Sequence, residues 1–146
     1  MKSTGKMKWL ILLLLAIPTL SAAGCSGGKS GIAAEPGDEF ALSVGQSVYI
    51  RGEDFEIRFI EVIADSRCPR GATCVWAGEV SCLIEITRSG EVTSKILVKP
   101  GSDGNSETSF NDYIIAFDIM PYPAAGKEIK QQDYRLIMII SKKPMI

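Results

Sequence analysis

The sequence contains no histidine among its 146 residues. Histidine is the commonest general base and metal ligand near neutral pH, so its absence excludes Ser/His/Asp and Cys/His catalytic arrangements and most zinc sites. The sequence also lacks a G-x-S-x-G motif and a glycine-rich phosphate-binding motif. We therefore expect a protein that is not an enzyme, with no catalytic residue, no metal site and no cofactor.

The sequence has no excess of basic residues either, with 16 lysines and arginines against 17 aspartates and glutamates. Three of the lysines lie in the N-terminal signal segment described below, and removing them leaves 13 basic residues against 17, a net charge of −4. Nucleic acid binding needs a basic face, and attachment to anionic lipid needs a basic cluster. Neither kind of binding is expected.

The chain has no apolar run of the roughly 20 residues that a membrane-spanning helix needs. The run at residues 9–20 is shorter, follows three lysines and precedes small residues, which is typical of a secretory signal. Residues 20–25, LSAAGC, resemble the lipobox of bacterial lipoproteins, in which the cysteine becomes the first mature residue and carries acyl chains. The resemblance implies a signal peptide over residues 1–24 and a lipidated Cys25. The alternative is an ordinary signal, with Cys25 as a free thiol.

These expectations predict the location of the protein and the division of its chain into segments. The acyl chains would anchor it to a membrane of the cell envelope, the outer membrane if the cell has one, with the domain outside the cytoplasm. Residues 25–39, which follow the signal, are rich in glycine, serine and alanine and predict a flexible tether. Residues 40–146 are enough for one core and predict a single domain.

Within that domain, apolar residues alternate with polar ones, as in VSCLIEIT (80–87) and YRLIMII (134–140), and turn-forming segments separate the runs. No convincing amphipathic helical period occurs outside the signal. The pattern predicts an all-β fold, an antiparallel β-sandwich of immunoglobulin-like type with about seven strands, and a small β-barrel is the alternative. A break in the alternation at Ile60 predicts a bulge or a bend.

Three cysteines remain in the domain. Cys82 lies on the apolar face of its predicted strand and is expected to be a buried free thiol. Cys68 and Cys74 flank five residues, and pairing these two is the preferred disulfide, which would contribute about 2 kcal/mol by closing a short ring. A bridge from Cys82 to either of them would require Cys82 to leave the core face.

The segment DSRCPRGATCVWAGEV (65–80), with the later YIIAFDIMPYP and YRLIMII, resembles a family of small, uncharacterised bacterial lipoproteins and secreted proteins that share a D-S-R-C-P…C-x-W-A-G-[ED] core. The resemblance covers most of the domain, and its specific part is the cysteine segment. It implies the same Cys68–Cys74 loop and an all-β fold, and it implies no known activity.

The cysteine segment is the candidate site. Pro69, Gly71 and the disulfide would make a rigid loop that presents Arg70 to a partner. Trp76 is expected to fill the core beneath this loop, with a contact residue of hot-spot type as the alternative. In the structural alternative, Arg67 forms a local ion pair with Asp65, and Glu79 is a solvated strand residue. The candidate binding loop comprises Arg67, Pro69, Arg70, Trp76 and Glu79.

The function expected from these features is that of a binding or accessory module at the cell envelope, with an envelope or extracellular protein as partner. One alternative is an inhibitor of an extracytoplasmic enzyme, which would insert the Cys68–Cys74 loop into the enzyme's cleft. Another is a binder of a small ligand or of calcium, because Asp103, Asn105 and Glu107 alternate as they do at the start of a calcium loop.

Overall fold

A computed structural model describes residues 31–101 and 104–145. The predicted signal peptide, Cys25 and Asp103 therefore lie outside the described residues. In the part described, no helix is long and apolar enough to cross a membrane. The described residues form one 3-10 turn (Gln131–Asp133) and nine strands: β1 (Ile32–Ala34), β2 (Glu39–Ser43), β3 (Ser47–Ile50), β4 (Phe55–Asp65), β5 (Glu79–Arg88), β6 (Glu91–Pro100), β7 (Ser106–Phe110), β8 (Tyr113–Met120) and β9 (Arg135–Lys142).

The strands form two sheets, one in the order β1-β3-β4-β5-β6 and the other in the order β2-β9-β8-β7. Every pair is antiparallel except β1 with β3. The predicted all-β sandwich is confirmed, and the sheets do not close into a barrel. The number of strands, nine, exceeds the expected seven partly because β1 and β7 are short and have no clear apolar alternation. They are held by pairing with a neighbour, which the sequence pattern does not reveal.

The first strand, β1, lies within residues 25–39, for which the sequence predicts a flexible tether. Ile32 pairs with Val48 and Ala34 with Ile50, and Ala34 is buried against the core. This pairing extends the folded part to Ile32, because a short chain can join a sheet edge through backbone hydrogen bonds without an apolar pattern of its own.

The core lies between the sheets and is built from alternate residues of the long strands. Burying one such aliphatic or aromatic side chain contributes about 1.5–3 kcal/mol. The central strands β4, β5, β8 and β9 supply most of it, with Ile57, Phe59, Val80, Cys82, Ile84, Ile86, Ile115, Phe117, Ile119, Leu136, Met138 and Ile140 buried. Cys82 is buried and unpaired, as expected.

The alternation of β4 breaks where the sequence predicted it. Its register against β5 shifts between Phe59 and Glu61 and again between Val62 and Ala64. On the other edge of β4, the side chain of Gln131 takes the place of a strand. Its Oε1 accepts from the Val62 N–H at 3.0 Å, and its Nε2 donates to the Val62 carbonyl at 2.6 Å. The irregular half of β4 is thereby paired on both edges at Val62, and its course toward Asp65 is fixed.

The environment of Cys82 leads to a prediction about reactivity. Burial raises the pKa of the Cys82 thiol to about 12, and the thiolate is the reactive form. Cys82 is expected to resist alkylation in the native protein at about pH 8 and to be modified fully in denaturant, measured by peptide mass mapping. Modification of Cys82 at equal rates in both conditions would contradict the buried position.

Candidate functional site

The chain between β4 and β5, residues 66–78, is called the cysteine loop below. A disulfide joins Cys68 and Cys74, with 5.9 Å between their Cα atoms, so the predicted pairing is confirmed. Two backbone hydrogen bonds continue the β4–β5 ladder into the loop, from the Ser66 N–H to the Glu79 carbonyl at 2.8 Å and from the Cys68 N–H to the Ala77 carbonyl at 2.9 Å. The two ends of the loop are therefore held together at its base, and the disulfide ties its middle.

Arg67 is the buried centre of the loop's base, with a side chain that is 0% exposed. Its Nε and Nη2 donate to the two carboxylate oxygens of Asp65 at 2.8 and 2.6 Å, which is a bidentate ion pair. The candidate binding loop predicted from the sequence includes Arg67. Its burial takes it out of any contact surface, and it forms the local ion pair that was the structural alternative.

The Arg67 guanidinium also connects the loop to the second sheet. Its Nη1 donates to the carbonyl of Ile119 on β8 at 2.7 Å, and its Nη2 donates to the carbonyl of Pro121 at 3.0 Å. The hydroxyl of Tyr134, just before β9, donates to Asp65 Oδ2 at 3.1 Å. One charged pair thus fastens the end of β4 to the ends of both central strands of the opposite sheet.

The pKa values at this pair reflect two opposing effects. Burial raises the pKa of Asp65, but the hydrogen bonds and positive charge of Arg67 and the hydroxyl of Tyr134 outweigh it and hold the pKa of Asp65 below its usual value. Burial, together with the negative charge of Asp65, raises the pKa of Tyr134 to about 12. At neutral pH the carboxylate is charged and the phenol is neutral, which is the state that these hydrogen bonds need.

Residues 121–130, which follow β8 and are called the second loop below, pack beside the cysteine loop. The N–H of Arg70 donates to the carbonyl of Pro123 at 2.9 Å, and the N–H of Ala125 donates to the carbonyl of Arg70 at 3.0 Å. Two guanidinium groups lie over the ring of Tyr122. The Arg67 Cζ is 4.9 Å and the Arg70 Cζ is 5.2 Å from the centroid of this ring. Arg70 is exposed, but both its backbone and its side chain are held by this second loop.

The outer part of the cysteine loop holds two apolar side chains in solvent. Trp76 is 77% exposed, and its neighbour Val75 is 106% exposed. The expectation that Trp76 fills the core is wrong. The space beneath the loop is occupied instead by Arg67 and Tyr134, both buried and hydrogen-bonded to Asp65. Val75 was not singled out from the sequence, because an isolated valine beside a strand carries no signal of exposure.

Gly78, two residues after Trp76, is needed for the close packing of the loop's base. Gly78 has a φ of +70°, and a Cβ at this position would overlap the carbonyl oxygen of Ser66. Gly101 directly follows β6, and a Cβ at this position would overlap the Ala77 carbonyl oxygen. Its N–H donates to the Gly78 carbonyl at 2.8 Å. The glycine of the W-A-G segment is therefore explained by backbone packing, since only glycine fits there.

The remaining candidate residues lie around this frame. Pro69 is half-buried, and Glu79 is exposed at the start of β5. Of the alternating residues in the calcium hypothesis, Asn105 and Glu107 are exposed. Among the described residues there is no group of three or more histidine, cysteine, aspartate or glutamate side chains that could hold a metal ion. An indole ring, an aliphatic side chain and a guanidinium on a fixed frame are groups suited to recognising another surface.

The buried ion pair leads to a prediction with a defined pH dependence. Asp65→Asn would leave Arg67 without its carboxylate, and the free energy of unfolding is expected to fall by about 3 kcal/mol at neutral pH. Because the pKa of Asp65 is lowered in the folded protein, its carboxylate stabilises the fold above the unfolded-state pKa of about 3.9. That contribution is lost as the pH falls through the folded-state value.

Urea unfolding at a series of pH values tests this prediction. The difference between wild type and Asp65→Asn is expected to be full near neutral pH and to narrow below about pH 4. Asp54→Asn is the matched control, because Asp54 is exposed, and its effect is expected to stay within about 0.5 kcal/mol. A difference for Asp65→Asn that is small, or that does not change with pH, would contradict the role given to the pair.

Comparison of the chain with protein-family models, with curated proteins and with solved structures finds no match. Any function is therefore argued from the cysteine loop and the surfaces around it.

Proposed function

We propose that this protein is a lipid-anchored, extracytoplasmic binding module that recognises a protein partner through its cysteine loop. The observation that carries the proposal is the position of Val75 and Trp76, which extend into solvent from a loop that is tied at its base, its middle and its flank. Large apolar side chains in such positions gain free energy only when another surface covers them.

The energetics favour a protein surface as that partner. A tryptophan side chain buries about 150–250 Å² at an interface, which at about 25 cal/mol per Å² gives on the order of 4 kcal/mol for a mostly exposed Trp76. Tryptophan and arginine are enriched among the residues that dominate protein–protein binding. The loop is already ordered by its bonds, so little conformational entropy is lost when it binds.

The disulfide supports the proposed location. Disulfides form and persist in oxidising compartments, and Cys68 and Cys74 are bonded. If Cys25 is acylated, the chain from Cys25 to Gly31 spans at most about 20 Å, since an extended residue covers about 3.3–3.6 Å. The domain would then lie close to the membrane surface, and its partner would be a protein of the same envelope compartment.

The geometry gives less support to the inhibitor alternative. Inhibition through Arg70 would require a reactive-site loop that offers its own backbone to the cleft of an enzyme. At Arg70 the N–H already donates to the Pro123 carbonyl, and the carbonyl already accepts from the Ala125 N–H. Contact centred on Trp76 fits the loop better than insertion centred on Arg70.

Photo-crosslinking in the native cell tests the proposed binding. A photo-reactive amino acid at position 76 is expected to give one discrete protein adduct. The matched control is position 54, which is exposed and lies just before the 11-residue strand β4. The length of this strand, about 33 Å, separates position 54 from the start of the cysteine loop, and no adduct is expected there. Equal labelling from both positions, or no adduct from position 76 in a folded protein, would contradict the proposal.

The anchor is tested separately by mass analysis of the exported protein. The N-terminal peptide is expected to begin at Cys25 and to carry acyl chains, and Cys25→Ser is expected to release the protein from the membrane fraction. An unmodified Cys25 in a membrane-bound protein would contradict the lipoprotein assignment, but it would not contradict the proposal about the cysteine loop.

A further inference from the structure

The four strands at the sheet edges differ sharply in how they are protected. An edge strand exposes a row of unpaired N–H and carbonyl groups that can bind another strand, and short length is one common protection. Three of the edges, β1, β2 and β7, are three to five residues long. The fourth, β6, has ten residues in an uninterrupted register with β5 and, among the described residues, no strand on its other side.

The outward face of β6 is also apolar. Val92, Ile96 and Val98 are 58%, 57% and 46% exposed, alternating with the inward-facing Leu97. A long, regular edge with exposed aliphatic residues is the type of edge that accepts a further strand, because backbone hydrogen bonds supply affinity and the alternating side chains supply specificity.

A lysine on the inward side decides which strand fits. Lys95 lies opposite Ile84 and is half-buried, and none of the ion pairs between described residues includes it. The next inward lysine, Lys99, is buried and pairs with Asp118 at 3.4 Å. An inward-pointing charge disfavours the addition of an apolar strand. A strand added beside β6 therefore needs a group that pairs with the positive charge of Lys95.

The charge of Lys95 disfavours pairing of β6 with β6 of a second copy of the chain along most of its length. Two antiparallel β6 strands that pair Glu91 with Lys99 place the two Lys95 side chains directly opposite each other. The register that pairs Glu91 with Lys95 avoids this contact, but it joins only residues 91–95 of each strand and leaves Ile96 and Val98 uncovered. Like charges that face each other across a strand pair are destabilising, and a carboxylate in the same position is favourable. Charge complementarity thus favours a strand with an acidic residue at this position.

The edge of β6 is also continuous with the cysteine loop. Pro100, its last residue, lies opposite Glu79, and the following Gly101 bonds to Gly78, two residues after Trp76. A strand that runs along β6 therefore reaches the surface on which Trp76 is exposed.

We propose that the partner binds as an extended segment that adds a sixth strand to the larger sheet along β6. An acidic side chain of this segment faces Lys95, aliphatic side chains pack beside Ile96 and Val98, and the segment continues onto Trp76. This inference rests on the proposed function, because it describes how the partner of the cysteine loop is bound.

The test uses the full chain in detergent and two synthetic ten-residue peptides. One alternates glutamate with valine and threonine, and the other has lysine in place of every glutamate. The acidic peptide is expected to bind about tenfold more tightly than the basic one, since one pairing adds attraction and the other adds repulsion. Lys95→Glu is expected to reverse this preference, and Lys127→Glu, at an exposed lysine outside the edge, is the matched control.

Amide hydrogen exchange locates the bound peptide. Slower exchange along β6, without change in β2 or β7, is the expected result. Three results would overturn the proposal. They are a lack of peptide binding, a preference for the acidic peptide that Lys95→Glu leaves unchanged, and protection from exchange at another edge. So would self-association of the chain that Ile96→Asp abolishes, because a second copy would then occupy the edge.

The two proposals fail in different ways. An adduct from position 76 together with no peptide binding at β6 would remove the added strand and keep the cysteine-loop function. Lys95-dependent peptide binding without any adduct from position 76 would support the edge site and overturn its connection to the loop.

Discussion

The buried guanidinium of Arg67 is the interaction on which this end of the protein depends. A buried charge costs several kcal/mol unless it is paired and hydrogen-bonded. Here the carboxylate of Asp65 and the carbonyls of Ile119 and Pro121 supply the partners, and no buried side-chain nitrogen or oxygen in the described part of the chain lacks one. Those partners come from both sheets, so the guanidinium can be satisfied only when the sheets and the loop are in their final positions. The ion pair therefore specifies the orientation of the loop as much as it stabilises the fold.

The exposure of Trp76 follows from this arrangement. In many sandwiches an aromatic ring closes the end of the core, and the sequence suggested that role for Trp76. In this protein the closing groups are polar, with Arg67, Asp65 and Tyr134 forming one hydrogen-bonded cluster. The disulfide then fixes the loop's own shape, and the bonds between Arg70 and the second loop fix its flank. The indole of Trp76 is therefore exposed, and the loop that carries it is held too firmly to move over the ring and cover it.

The sequence predicted features that depend on neighbouring residues and missed those that depend on distant ones. The period of two identified the long strands, the apolar face identified Cys82 as buried, and the phase break at Ile60 identified the irregular part of β4. The burial of Arg67 was not predictable, because its acceptors lie more than 50 residues away at Ile119 and Pro121. The sequence could not predict the exposed edge of β6 for the same reason, because only the strand order shows which strand has a neighbour on one side alone.

The opposite end of the sandwich shows why recognition is expected at the cysteine loop. There too an ion pair meets a buried tyrosine, since Glu53 pairs with Lys142 and accepts from the Tyr113 hydroxyl at 2.6 Å. A hydrogen bond from Lys142 and another from Tyr113 lower the pKa of Glu53. The side chain of Lys142, however, is 59% exposed, so water screens the pair and Lys142 can leave it at small cost. The Arg67 pair is shielded from water and has partners on three segments of the chain. Of these two ends, the one built around Arg67 is held more firmly, which is why we propose recognition there.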